Sequence, residues 1–377
     1  MQLEKMVDPR PAFPKNNIPI ALSCSEYYSP YAAVYLKSLL NCSSSAYGYD
    51  ILIFTKDITP KTMKMLGGVL EGRENISLRF LDVDQYLSQY ALKVHDHFGV
   101  ESYFRLLYPY MLTHYGKVIY CDCDMVLKSD IAELYQEEIG NAFLGACIDA
   151  VVVGAINDPS DRSFGEYGWM DYCRNKLHME NPYLYLNSGV LVFNLARFRQ
   201  EYTAERVLQD AQDNQYYLLD QDALNTLCGK DVVILNLAWN MTTDVAGLKW
   251  PYIQKAPHSI RDAYLKARMH PHTVHFADWL KPWTNPNEDL GYEFWNVARE
   301  LPIYTQILAR MSGEQMNRTV VSPAELRRDM QPMGVWKEWK WTVKRWSAVI
   351  LPYGSKRRRA VKRWYFKLRR WKWVEEP

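Results

Sequence analysis

Short apolar runs alternate with helix-like stretches through the first two-thirds of the chain, and this alternation limits the fold more than any other feature. "IPIALSCS" (18–25) reads as a buried strand. A helix follows from Ser29 and Pro30 through "YAAVYLKSLLNC", with Pro30 tolerated because a first-turn residue needs no N–H partner. "DILIFTK" (50–56) is a second strand, "TPKTMKMLGGVLEG" (59–72) a helix capped by Thr59, and "ISLRFLDV" (76–83) a third strand. A helix over 101–115 precedes "KVIYCDCDMVLKSDI" (117–131), and "FLGACID" (143–149), "YLNSGVLVFNL" (185–195), "VVILNLAWN" (232–240) and "HTVHFAD" (272–278) read as further strands. Strands spaced by helices build an α/β fold with a mostly parallel sheet covered by helices, whose ligands bind at the carboxyl ends of the strands. A helix over 293–311 closes a body spanning 18–311, after an N-terminal extension of residues 1–17 and before a loose connector at 312–335.

The net charge of +2 hides an asymmetry. Residues 336–377 carry 14 Lys and Arg against 3 Glu, a net of +11, so the rest of the chain carries −9. In "VWKEWKWTVKRWSAVI", Trp336, Trp339, Val343, Trp346 and Ile350 recur on one helical face, and Val361, Trp364, Leu368 and Trp371 repeat the pattern amid ten basic residues of "KRRRAVKRWYFKLRRWKW". Such helices suit an anionic membrane surface, and the expected location is cytoplasmic, peripherally attached to the inner face of the cell membrane. Seven cysteines, an odd number scattered through core-like segments, read as reduced thiols, in keeping with the cytoplasm. The Pro-rich start has no apolar secretory core, and no run approaches the roughly 18 apolar residues of a spanning helix.

The stretch "KVIYCDCDMVL" places two aspartates one residue apart in an otherwise apolar run. As a strand over 118–124, it turns Ile119, Cys121 and Cys123 one way and Tyr120, Asp122 and Asp124 the other. Two like charges are costly to bury bare, and a divalent cation reverses that cost. Asp122 and Asp124 are therefore a candidate metal site. Cys121 and Cys123 read as small core residues, since no second ligand pair stands at zinc spacing.

Five ordered motifs over roughly 18–285 are similar to those of the family-eight glycosyltransferases: "SYFRLLYPYML" (102–112), "KVIYCDCDMVL", "YLNSGVLVFNL", "LDQDALN" (219–225) and "VHFADWLKPW" (274–283). These are retaining nucleotide-sugar enzymes of the GT-A fold that include bacterial lipooligosaccharide galactosyltransferases. The resemblance implies that Asp122, Asp124 and His275 hold Mn²⁺, with Mg²⁺ the alternative, and that Arg105 reaches the donor. It implies Asn187 and Ser188 against the donor sugar, Ser23 and Tyr28 beside the base, and Gln221, next to Asp220, under the anomeric carbon. Lys281 and Arg105 bring the charge a leaving diphosphate needs. Asp149, at the end of "LGACID", is a candidate acceptor contact. The chain departs from the family at Ser25 and Tyr27, where an acidic residue and an asparagine usually contact uridine, and at Asp278, which replaces a glycine near the β-phosphate.

The expected function is transfer of galactose or glucose, with retention, from a UDP-sugar to a hydroxyl of a membrane-linked glycan such as a lipooligosaccharide or glycolipid. A same-face attack uses Gln221 to stabilise positive charge, whereas a double displacement needs a carboxylate such as Asp220 or Asp222. Two other classes compete. A nucleotidyltransferase also pairs aspartates but carries a Gly-rich basic loop, absent from "LSCSEYYSPY". Nucleic-acid binding through the tail is opposed by the acidic body, and no nucleic acid is expected as a partner.

Overall fold

The computed structural model describes residues 5–6, 8–83, 87, 90, 92 and 99–319. The basic aromatic segment 336–377 lies outside them. Met1–Ser312 forms one compact unit and Gly313–Pro377 a second, of which only helical backbone to Thr319 is described.

The strands are β1 (Lys5–Met6), β2 (Asn17–Ser23), β3 (Gly48–Thr55), β4 (Ile76–Asp82), β5 (Lys117–Cys121), β6 (Met125–Leu127), β7 (Leu144–Ile148), β8 (Leu186–Asn194), β9 (Val232–Ile234), β10 (Met241–Thr242) and β11 (Thr273–His275). Eight of them form one sheet in the order β1-β4-β3-β2-β5-β8-β7-β9. All its pairs are parallel except the two that β8 makes with β5 and β7. A second sheet, β10-β11-β6, joins β11 antiparallel to β6. The mostly parallel α/β expectation holds, with β8 supplying the reversal.

Alternation along the central strands feeds two apolar cores. Ile20, Leu22, Ile51, Ile53, Ile119 and Cys121 lie in one, and Ala21, Leu52, Phe54, Val118 and Tyr120 in the other. Strands buried on both faces read as continuous apolar runs, which is why β2, β3 and β5 were legible. Thr59 caps its helix as expected, accepting from the Thr62 N–H at 3.4 Å, and Pro30 sits in the first turn of Ser29–Cys42.

Five segments differ from the sequence reading, one of them "HTVHFAD" (272–278), which is strand only over Thr273–His275. The strand expected over 118–124 stops at Cys121. Asp122 adds one more rung, its N–H donating to the Gly189 carbonyl at 2.9 Å, and the chain then passes to the second sheet, where the Phe276 N–H donates to the Asp124 carbonyl at 3.0 Å. Asp122 and Asp124 thus lie in the connection between the two sheets, one hydrogen-bonded to each. The run 232–240 is strand only to Ile234, because the Asn236 side chain accepts from the Ala238 N–H (3.0 Å) and opens a 3₁₀ turn over Leu237–Asn240. The helix expected over 101–115 is 3₁₀ over Val100–Leu107 followed by a short α-turn, Tyr108–Met111. The closing helix is two, Gly291–Ala298 and Tyr304–Thr319, interrupted before Pro302, whose ring and missing N–H oppose a continuous helix.

Candidate active site

The carboxyl ends of β2, β5 and β7 and the start of β8 open on a cavity of about 800 Å³, lined by Ser23, Tyr28, Arg105, Asp122, Asp124, Asp149, Asn187, Ser188, Asp220, Gln221, His275 and Lys281. Every site residue named from the sequence faces this one space except Asp222, the second carboxylate offered for a double displacement.

At its base, Asp122, Asp124 and His275 each present a ligand atom within 4.8 Å of the others. His275 Nε2 lies 3.3 Å from Asp124 Oδ1 and 3.6 Å from Asp122 Oδ2. The tautomer follows from the other ring nitrogen. Nδ1 stands 2.7 Å from Asn240 Oδ1, and the Asn240 amide N–H₂ is committed to Asn187 Oδ1 at 2.7 Å, so the Asn240 oxygen accepts and Nδ1 carries the proton. The Nε2 lone pair then meets two carboxylates. Asp124 Oδ1 is buried without a hydrogen-bond partner, and three electron-rich atoms aimed at one point fit a divalent cation. Gly189 leaves the room for this packing: a Cβ there would stand 2.4 Å from His275 Cε1 and 2.8 Å from Nδ1.

Cations flank the triad on both sides. Lys281, buried, donates to Asp124 Oδ2 and to the Phe276 carbonyl at 2.6 Å. Burial alone raises the Asp124 carboxyl, but the Lys281 ammonium outweighs it and holds the group far below the usual carboxylate range. Arg105 donates to Asp122 Oδ1 at 3.0 Å and to the Ser188 carbonyl, and stacks over Tyr120 at 4.2 Å from the ring centroid. Tyr120 donates to the same Asp122 oxygen. Arg105 Nε lies 3.0 Å from Asp220 Oδ2, but its hydrogen is directed at the Ser102 carbonyl (3.1 Å), which leaves that Asp220 oxygen unbonded. Burial, only partly offset by Arg105, pushes the Asp220 carboxyl up to about 6.

On the far wall, Gln221 is fixed at both ends of its amide. Oε1 accepts from the Ser188 N–H at 2.9 Å, and Nε2 donates to Asp149 Oδ2 at 3.3 Å. The same Asp149 oxygen accepts from Asn187 Nδ2 at 3.0 Å, while Asp149 Oδ1 caps the helix Ala150–Ile156 through the Val151 and Val152 N–H groups. Asp149 is therefore a helix cap and a cavity residue at once. Asp222 is different: fully buried, it accepts from Tyr172, Tyr185 and the Leu218 N–H and does not line the cavity. It cannot meet a substrate as a nucleophile, which removes one of the two carboxylates a double displacement could use.

Ser23 Oγ pairs with the Tyr108 hydroxyl at 2.7 Å. Tyr28 meets Trp283 edge-on, and Trp283 stacks on Tyr31 with 3.8 Å between centroids, so the tryptophan of the Lys-Pro-Trp run anchors the segment that delivers Lys281. Ser25 and Tyr27 line the same end of the cavity. Asp278 holds a glycine-like backbone, φ +88°, and its Oδ1 accepts from the Trp279 N–H at 2.8 Å. The sequence reading missed Asn240, Tyr120 and Lys249. Asn240 lay inside a run taken as strand; Tyr120 was placed on the correct face but given no role; nothing local distinguishes Lys249.

Residues 19–286 match the family model for glycosyl transferase family 8, and the chain belongs to that family. A Haemophilus influenzae protein that carries a glycosyltransferase name is 26% identical over 225 residues, covering 59% of this chain and 63% of that protein. Among solved structures, the bifunctional glycosyltransferase WbbM superposes with a TM-score of 0.73 at 25% identity over 81% of this chain, which spans only 53% of WbbM. The galactosyltransferase LgtC, determined in complex with donor and acceptor sugar analogues, superposes with a TM-score of 0.61 at 20% identity over 76% of this chain and 96% of its own, and it shares the GT-A fold. The chain is thus a member of glycosyl transferase family 8, and its fold is that of the GT-A enzymes.

Proposed function

We propose that the chain moves a hexose, galactose or glucose, from a UDP-sugar to a hydroxyl of a membrane-linked glycan such as a lipooligosaccharide or glycolipid, with retention at the anomeric carbon. The observation that carries the reading is the convergence of the His275 Nε2 lone pair with Asp122 and Asp124, flanked by Lys281 and Arg105. These three ligands would hold Mn²⁺, which accepts an imidazole beside oxygens more readily than Mg²⁺ does. Bound there, the ion supplies positive charge where the diphosphate departs. Arg105 and Lys281 add fixed charge of the same sign, already paired to carboxylates and so oriented before the substrate arrives.

The bond from the anomeric carbon to the β-phosphate oxygen breaks, the acceptor oxygen bonds to that carbon from the same face, and the acceptor proton passes to the departing diphosphate oxygen. Gln221, held by Ser188 and Asp149, presents its amide to the sugar side of the cavity. Ser23 and Tyr28 flank the nucleotide base. Asp220 is the carboxylate left to a double displacement, and its pairing with Arg105 favours an electrostatic role over a nucleophilic one. The basic, tryptophan-rich segment 336–377 would dock on anionic lipid at the cytoplasmic face; a chain ending near Gly334 should keep donor hydrolysis and lose cosedimentation with anionic vesicles. NMR of the first-formed product tests the reaction itself. An α-linked product from an α-linked donor is expected, and inversion would overturn the mechanism.

A further inference from the structure

One cation in the cavity has no task in this scheme. Lys249 is 8% exposed and lines the cavity wall, yet it forms no ion pair with any described carboxylate. Its ammonium, with three donors, makes one hydrogen bond, to the Ala277 carbonyl at 3.2 Å. Burial, helped by Lys281, lowers its pKa, and Asp278, Asp149 and Glu288, none of them hydrogen-bonded to it, oppose that. A buried ammonium this sparsely bonded is costly to keep.

The fold nonetheless holds it firmly. The Asp244 side chain accepts from the N–H groups of Lys249 (2.9 Å) and Trp250 (3.1 Å), the Asp244 N–H donates to Asp289 at 2.9 Å, and Arg268 binds both Asp289 oxygens. The short helix Trp250–Ile253 lies hard against Ala150–Ile156, where a Cβ on Gly154 would fall 1.9 Å from the Tyr252 carbonyl oxygen. The same wall carries Val151, Val152, Ala155 and the half-exposed rings of Tyr217 and Tyr252, an apolar and aromatic surface suited to the face of a pyranose. Asp149, the acceptor contact named above, is among the charged groups that act on Lys249, and this sets Lys249 on the acceptor side of the proposed reaction.

We infer that Lys249 is a specificity-determining residue that binds an anionic substituent, a carboxylate or phosphate, on the acceptor sugar. This rests on the glycosyltransferase reading above and deepens it by naming the acceptor's charge class. A charge-assisted hydrogen bond to a buried ammonium favours the anionic member of a matched sugar pair by roughly tenfold or more.

The test is binding of methyl glucuronide against methyl glucoside, and of glucose 6-phosphate against glucose, to the full-length chain by saturation-transfer NMR, with and without UDP and Mn²⁺. Wild type, Lys249→Met and Lys249→Arg are compared, with thermal melting to confirm folding. Wild type should prefer the anionic member of at least one pair about tenfold, the Met variant should lose that preference with UDP affinity unchanged, and the Arg variant should retain part of it. No preference in wild type, a preference that survives in the Met variant, or a Met variant whose main loss is UDP affinity overturns the inference. Absence of UDP binding by wild type would instead count against the donor assignment, while the arm without UDP still decides Lys249.

Discussion

Two aspartates of one cavity have opposite fates. Asp124 faces Lys281 and His275 and is held far below the normal carboxylate range, whereas Asp220 is raised to about 6. Burial pushes both upward; counter-charge differs. Lys281 commits its ammonium to Asp124 and one carbonyl, while Arg105 divides its guanidinium among Asp122, the Ser188 and Ser102 carbonyls and Asp220. The cavity therefore has an anionic end, where a cation fits, and an end where a carboxylate is only weakly supported as an anion. Position in the sheets sets this division, since Asp124 hangs from the second sheet beside His275 and Asp220 opens the helix Leu219–Cys228.

The largest effect should come from the anionic end. Asp122→Asn or Asp124→Asn should lower metal-dependent turnover on the order of 100-fold or more in protein that still folds, because each removes a charged ligand. Normal turnover in either variant, measured without chelator, would remove the metal role. His275→Ala should raise the Mn²⁺ concentration for half-maximal activity roughly 10–100-fold or more. Gly189→Ala should do the same without touching a ligand, because its Cβ would displace the His275 ring. An unchanged titration midpoint in both would make His275 a packing residue.

How much of this was legible beforehand varies with the range of the interaction. The apolar runs of β2, β3, β5 and β8, the Thr59 cap and the list of cavity residues follow from local pattern and motif order. The convergence of Asp122 and Asp124 was anticipated for an incomplete reason: a single strand face was expected, but the chain changes sheets between them. That transfer depends on Asp122 making the last rung, with Gly189 of β8, and Met125 the first new one, opposite His275 of β11, contacts remote in sequence. Asn240 and Lys249 were invisible for the same reason, each gaining meaning only from residues tens of positions away. The break before Pro302 was visible, and the helical pattern on either side masked it.

Smaller effects sharpen the contrast at the other end. Gln221→Ala should lower kcat roughly tenfold while changing KM less, because its contact strengthens as charge develops on the sugar. A change confined to KM would make it a ground-state contact only. Asp220 contributes a pH dependence of known sign. Its pKa is raised on folding, so the folded chain binds the proton more tightly, and the contribution of Asp220 to stability is full below about pH 4 and is lost as pH rises through 6. The two-unit displacement corresponds to about 3 kcal/mol. Urea denaturation across that range should show the decline in wild type and a flatter profile in Asp220→Asn; parallel profiles would mean that Asp220 is not the titrating group.

The central claim is that this cavity cleaves a nucleotide sugar with a divalent ion at Asp122, Asp124 and His275. The most direct measurement is UDP release by the full-length chain from a panel of UDP-hexoses, with Mn²⁺, with chelator, and in Asp124→Asn. Release from at least one donor that disappears with chelator and in the variant is the predicted result. Release that persists undiminished under chelation, or no release from any UDP-hexose while another nucleotide sugar is cleaved, would contradict the account.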